Sequence, residues 1–324
     1  MIRILSLLAV LAAFAVPAVA QPVTGQLTLY TSQPDRDAAR TVAAFRKVQP
    51  GVQVQIFRSG TTEVMNKLQA EFTAGAPRAD VLLIADAVSM ERLKADHRLK
   101  PEPGLDLSHI PAGAYDQDQT YFGSKLITTG IVYNIAASMQ PTSWADLLKP
   151  AAKGQVVLPS PLYSGAAAIH MAALQSALGP NYYQALAANG AVAMKGNGSI
   201  ITAVASGQAM YGFVVDFMAL NAEAKGSPVR FVFPKEGVSA VTEPVAVLAG
   251  TRNPAAARAF VAFILSKAGQ DLAVSQGYLP VRDDVAPPHG FPKLASVHLL
   301  PLDVPAAIAA DAANKKAFAA LFGG

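Results

Sequence analysis

The sequence predicts an α/β protein made of two lobes joined by two crossing strands. Three observations predict it. From residue 26 onward, short strands alternate with stretches of helical periodicity. The segment ADVLLIA (79–85) is largely apolar, as a strand is when helices cover both sides of its sheet. A second β/α series then begins near residue 128, with no repeat or low-complexity tether before it.

The elements follow in order. QLTLY (26–30) reads as a strand, and Ala38, Val42 and Phe45 then share one helix face until Pro50-Gly51 stops it. VQVQIF (52–57) alternates as a strand should. Ser59-Gly60-Thr61-Thr62-Glu63 has the polar residues of a helix start, and Val64, Leu68 and Phe72 continue that helix to Gly75. After the strand at 79–85, Met90 and Leu93 lie on a further helix.

In the second series, 125–134 is a strand, 142–148 a helix, 155–161 a strand and 165–178 a helix that Gly179-Pro180 ends. A helix near Tyr182 and Tyr183 follows, then a glycine-rich loop at 196–198, a helix capped by Ser199, and a strand at 209–217. Strands at 229–234 and 240–250 and a helix at 254–266 complete the readable part. The stretches near 126–132 and 242–248 are the expected crossings. The lobes are therefore expected at 21–127 plus 242–290 and at 128–241, with 291–324 assigned to neither.

The N-terminus has the layout of a secretory signal peptide. Arg3 precedes an apolar run, and Ala18-Val19-Ala20 forms an A-x-A site, so cleavage is expected after Ala20 and the mature chain is expected in the periplasm. The 324 residues contain no cysteine, which removes thiolate metal sites and thiol nucleophiles. A net charge of +4 without a Lys/Arg run argues against a nucleic-acid partner. A composition 52% hydrophobic and 15% charged argues against disorder.

In doubly wound sheets, ligands sit where strands lead into helices. The loops at that edge hold Thr31, Ser32, Ser59, Thr61 and Thr62. The stretch PLYSGAAAIHMAAL (161–174) opens a helix with Ser164 and then residues almost without side chains. Either that helix packs closely, or the bare N–H groups of Gly165, Ala166 and Ala167 face an anion, favoured by the helix dipole. Asn197, between two glycines, is either a turn residue or an amide donor beside Ser164. Asp216, ending an apolar strand, is either a helix cap or the partner of a ligand cation.

Nothing catalytic stands out. The five histidines have no metal-type spacing, and the chain has neither G-x-S-x-G nor a Walker lysine motif. No enzyme activity, cofactor or metal site is expected.

The segments LTLYTSQ, FRSGTTEVMNKLQAEF, PRADVLLIADA, TTGIVYN, SPLYSGAAA and VTEPVAVL together resemble the periplasmic solute-binding proteins of ABC transporters. The resemblance is nearest the branch that binds ferric ion, 2-aminoethylphosphonate and other organophosphates. It implies a type II periplasmic binding fold whose lobes close on a ligand, and a monomer that delivers to a membrane permease. Where ferric binders of this branch place their metal ligands, this chain has Pro34, Ala85, Met218 and Ala219. The resemblance also implies that Ser164, Gly165, Ala166 and Asn197 hold a phosphate-like anion. Thr31, Ser32, Ser59, Thr61, Thr62, Thr128 and Thr129 would then close over it, with Asp216 meeting an ammonium group. The expected ligand is a phosphonate or organophosphate, 2-aminoethylphosphonate first; a ferric-ion binder and a secreted hydrolase with Ser164 as nucleophile are the alternatives.

Overall fold

The computed structural model describes residues 22–291 and 297–323, so the expected signal peptide lies outside the described residues. The chain opens with β1 (Gly25–Thr31), α1 (Asp35–Val48), β2 (Val52–Arg58), α2 (Thr61–Thr73), β3 (Val81–Leu83), α3 (Ala87–Ala95), β4 (Leu99–Lys100) and β5 (Tyr121–Gly123). β1 runs parallel to β2 on one side and to β3 on the other. Val81 and Leu83 point into a core with Leu27, Leu29, Phe45 and Phe260. Leu82 and Ile84 point the other way, against Val64, Leu68 and Met90. This burial on both faces is why 81–84 is apolar throughout.

β6 (Lys125–Asn134) enters the second sheet and is followed by β7 (Val156–Pro159), α4 (Gly165–Leu178), α5 (Tyr182–Ala188), β8 (Val192–Met194), α6 (Asn197–Ala205), β9 (Tyr211–Val215), α7 (Asp216–Ala224), β10 (Val229–Val232) and β11 (Ser239–Val241). The strand order is β10-β6-β9-β7-β8, with β11 also on β6. The helix expected at 142–148 is a short 3-10 turn, Trp144–Leu148, closed by a capping box of Ser143 and Asp146.

The single strand expected at 240–250 is two strands in different sheets. β11 ends at Val241, and β12 (Pro244–Leu248) joins the first sheet antiparallel to β3. The chain therefore crosses at Thr242–Glu243, and it crosses earlier at Ser124, between β5 and β6. The first crossing lies before the expected 126–132, because β6 is paired within the second sheet from Lys125 to Asn134. The crossings are laced together: Ser124 N donates to Thr242 O at 3.0 Å and Ser124 Oγ to Glu243 O at 2.6 Å.

α8 (Pro254–Leu265) and α9 (Lys267–Ser275) return to the first lobe's side, but β13 (Leu279–Pro280) pairs with β6 of the second sheet. Within 242–290, expected to belong to the first lobe, this short strand is the exception. α10 (Val304–Phe322) buries Phe318 against Tyr183 of the second lobe. Arg92 on α3 of the first lobe reaches it too, donating to Asp311 at 3.0 Å and to the Ile308 carbonyl at 2.8 Å.

Candidate ligand-binding cleft

A cleft of about 220 Å³ opens between the lobes. Helix beginnings surround it. Pro34 precedes α1, Gly60 and Thr61 begin α2, Ser164 and Ala166 begin α4, Gly196 and Asn197 begin α6, and Val215 precedes α7; all line the space. Parallel strands feeding helices place those N-termini at one edge of each sheet, and their unpaired N–H groups make that edge electropositive.

These helix starts are not equivalent. α1 carries Asp35 and Asp37 in its first turn, α2 carries Glu63 and α7 carries Asp216, each partly cancelling its own helix dipole. α4 and α6 have no acidic residue there. These two helices are joined at the cleft, because Asn197 Nδ2 donates to Ser164 Oγ at 3.2 Å. Ser164 caps α4 by accepting from Ala167 N at 3.3 Å. The Ala167 amide, expected to face an anion, is thereby occupied. The amides of Gly165 and Ala166 make no described hydrogen bond. Asn197 is oriented from its other end, where Oδ1 accepts from Val215 N at 3.2 Å. The helix cap here is Gly196 rather than Ser199, and Ser199 instead lines the cleft within the first turn.

Gly165 is one contact between the lobes. A Cβ on it would lie 2.7 Å from the Ala85 carbonyl oxygen and 2.9 Å from Thr61 Cγ2. Gly165 thus follows the close-packing reading of the Ser-Gly-Ala turn, while Ser164 and Ala166 line the cleft.

Of the expected first-lobe hydroxyls, Ser32 and Thr61 line the cleft. Ser32 Oγ accepts from Ala85 N at 3.1 Å, which fixes one loop against the next. The other expected residues are engaged elsewhere. Thr31 is fully buried and accepts from Gln33 N. Ser59 donates to Glu63, so α2 is capped by Gly60 and not by a hydroxyl. Thr62 bridges the lobes at the rim, its amide donating to Tyr163 O at 3.3 Å and its hydroxyl to Pro161 O at 3.3 Å. Thr129 is buried within β6, in register with Ser239 and Val215.

Asp216 and Thr128 need the larger correction. Asp216 is 1% exposed and does not line the cleft. One carboxylate oxygen accepts from Thr128 N at 3.1 Å and from Thr128 Oγ1 at 2.7 Å, and the other from Phe217 N at 2.7 Å. The pair ties α7 to β6 and holds the carboxylate away from the cleft, out of reach of a ligand cation. Burial pushes the Asp216 carboxyl up to about 6, against the pull of those hydrogen bonds.

The cleft also holds residues that the sequence reading missed. Arg58, at the C-terminal end of β2, donates through Nε to Gln33 O at 2.7 Å and through Nη1 to Tyr163 Oη at 3.3 Å. Lys195, just before the Gly196 loop, sits 4.7 Å over the Tyr163 ring and 3.5 Å from Glu63. The strand-end rule that selected Ser59 could have selected Arg58. At the floor lies Glu243, whose φ of 38° is in the left-handed region. Its carboxylate is 2.7 Å from Lys125 Nζ, and both side chains are 3% exposed. Burial raises the Glu243 carboxyl, and Lys125 opposes the rise. Lys125 also lies 3.7 Å over the ring of Tyr278, whose hydroxyl donates to Asp37 at 2.9 Å.

As for catalysis, the described partners of Ser164 Oγ are an amide N–H and a side-chain amide, not a base. Pro34, Ala85 and Met218, which stand where ferric binders were expected to place ligands, line the cleft without offering a hard donor atom. Ala219 is fully buried in the packing of α7.

Two lobes exchanging strands, with a cleft at the helix starts between them, define a solute-binding protein. Residues 27–279 match the bacterial extracellular solute-binding protein family, and the chain belongs to that family. It is 26% identical over 304 residues to the Fe(3+)-binding periplasmic protein of Serratia marcescens, covering 90% of this chain and 87% of that one. Its fold matches the periplasmic binding protein AfuA of Actinobacillus pleuropneumoniae, solved with exogenous fructose-6-phosphate bound. The TM-score is 0.83 at 20% identity, over 92% of this chain and 98% of that one. Iron-bound HitA of Pseudomonas aeruginosa matches with a TM-score of 0.78 at 24% identity, over 92% and 99% of the two chains. The fold is that of the type II periplasmic binding proteins. No helix among the described residues is long and apolar enough to cross a membrane.

Proposed function

We propose that this protein captures a small phosphorus-containing anion, a phosphonate or phosphate monoester, between its lobes in the periplasm and passes it as a monomer to an ABC permease. One observation carries the ligand class. The two helix starts at the cleft without an acidic residue, α4 and α6, are the two that the Ser164–Asn197 hydrogen bond joins. Of the expected amides, Gly165 is packed against the first lobe; the free amide of Ala166, with the Asn197 side chain beside it, suits the acceptor-rich oxygens of such an anion. Arg58 and Lys195 add positive charge from opposite lobes. The carboxylate among the lining residues, Glu243, is matched by Lys125.

The narrower expectation of 2-aminoethylphosphonate assigned its ammonium group to Asp216, which Thr128 occupies. The proposal is therefore the wider class, with 2-aminoethylphosphonate as one member. Calorimetric titration with methylphosphonate, 2-aminoethylphosphonate, glycerol 3-phosphate and ferric citrate tests it. Saturable heat with at least one phosphorus compound is expected. Binding of iron alone, with a visible iron–phenolate band, would replace it with the ferric reading.

A further inference from the structure

We propose that Tyr163 is a gate that sets the size of ligand the cleft accepts; the ligands named rest on the phosphorus-anion reading, whereas the mechanics do not. Tyr163 lies between β7 and α4 of the second lobe, yet its carbonyl accepts from Thr62 N of the first lobe at 3.3 Å. Its ring is wedged between two glycines that cap helices on opposite lobes. A Cβ at Gly60 would stand 2.6 Å from two ring carbons, and one at Gly196 would stand 3.0 Å from a third. Neither position needs glycine for its backbone. Gly60 has φ −63° and ψ 154°, and Gly196 is fully extended at φ −165° and ψ −179°. At Gly196 what requires glycine is room for the ring; at Gly60 it is room for the ring together with the Tyr163 carbonyl oxygen, 2.5 Å from such a Cβ.

The ring is held on its other sides as well. Its hydroxyl accepts from Arg58, and the Lys195 ammonium lies over its face. It is also a partition. On one side is the cleft of about 220 Å³; on the other is an open hollow of about 370 Å³ that includes Ser160, Leu162, Ala193, Met194 and Phe322. Tyr163 and Lys195 border both spaces. With the ring in place, the anion seat serves a phosphonate or phosphate ester with a short tail. With the ring cut away, the two spaces join, and a phosphate ester with a bulky tail fits.

The test is calorimetry of 2-aminoethylphosphonate and glucose 6-phosphate on wild type, Tyr163→Phe and Tyr163→Ala. Tyr163→Ala should shift the ratio of the two Kd values toward the sugar phosphate by about tenfold or more, while Tyr163→Phe keeps the wild-type ratio. An unchanged ratio in Tyr163→Ala overturns the gate. A second arm needs no ligand. Amide hydrogen exchange at Thr62, which bonds to the Tyr163 carbonyl, should be faster in Tyr163→Ala than in wild type, because the ring held between Gly60 and Gly196 fixes that carbonyl. Equal Thr62 exchange in Tyr163→Ala and wild type overturns the gate. If neither phosphorus compound binds wild type, the ligand reading falls, and Thr62 exchange decides the gate.

Discussion

The side-chain amide of Asn197 donates to the hydroxyl of Ser164 across 3.2 Å while its own oxygen accepts from Val215 N. Strand β9 thus sets the Asn197 side chain, and Asn197 sets the Ser164 hydroxyl that caps α4. Ser164→Ala removes a cap worth about 1 kcal/mol of stability and unseats Asn197. If Asn197 and the α4 amides hold an anion, the variant should also lose roughly 1.5–3 kcal/mol of affinity, about 10- to 150-fold. Asn197→Asp should lose more, because it points a like charge at the ligand. Melting curves and calorimetry separate the two losses. A lower melting point with unchanged affinity would remove the anion seat from α4.

Arg58 and Lys195 should differ in how they act. Lys195 is two-thirds exposed, at 66%, and its charge is screened by salt and by Glu63. Lys195→Ala should weaken anion binding by at most about 1 kcal/mol, with the effect fading at high ionic strength. Arg58 is less exposed, at 27%, and is fixed by Gln33 and Tyr163. Arg58→Ala should cost more and persist in salt. Affinity measured at two ionic strengths checks both, and equal salt sensitivity would contradict the assignment.

The Lys125–Glu243 pair joins the two crossings in a buried site. Lys125→Met leaves the Glu243 carboxylate without its counter-ion and should cost about 3–5 kcal/mol in urea unfolding. Adding Glu243→Gln should recover a large part of it. The cost has a pH dependence. Burial raises the Glu243 carboxyl from its ordinary value and Lys125 opposes that rise, so losing Lys125 raises it further. The destabilisation should be smaller below the ordinary carboxylate pKa and grow as pH rises through the raised value. A double variant no more stable than Lys125→Met would show that the pair is not coupled.

The architecture was legible because it rests on periodicity. Leu82 and Ile84 alternate with Val81 and Leu83, and that pattern needs no distant partner to be read. The Ser164–Asn197 pair was legible because both residues sit at helix starts of an unusual composition. The remaining site was not, for two physical reasons. Asp216 and Thr128 satisfy each other across strands 88 residues apart, a match that local pattern does not carry. Arg58 of the first lobe meets Tyr163 and Lys195 of the second around a ring seated between Gly60 and Gly196, a convergence that no one segment reveals. The strand at 240–250 was read as one because nothing in VTEPVAVL, apart from Pro244, announces that the chain changes sheets at Glu243.

His170 gives a prediction about acid. It is 1% exposed, packs between Trp144 and Phe213, bonds through Nδ1 to Ser239 at 2.9 Å, and has no partner at Nε2. Burial pushes its imidazole down to about 3. Between that value and the ordinary 6.5, the unfolded chain binds a proton that the folded chain does not, so stability falls as pH falls, by up to about 1.4 kcal/mol per pH unit. Asp216 acts in the opposite direction. Its carboxyl rises from 3.8 to about 6, so the folded chain holds the extra proton in that window and stability falls as pH rises. In wild type the two trends oppose each other there. His170→Gln removes the first and keeps the second. The stability of wild type minus that of His170→Gln, from urea unfolding, should therefore increase from pH 4 to pH 6, by up to about 1.4 kcal/mol per unit and less steeply near pH 6. Parallel curves for the two proteins would mean that His170 takes up its proton in the folded state as readily as in the unfolded one.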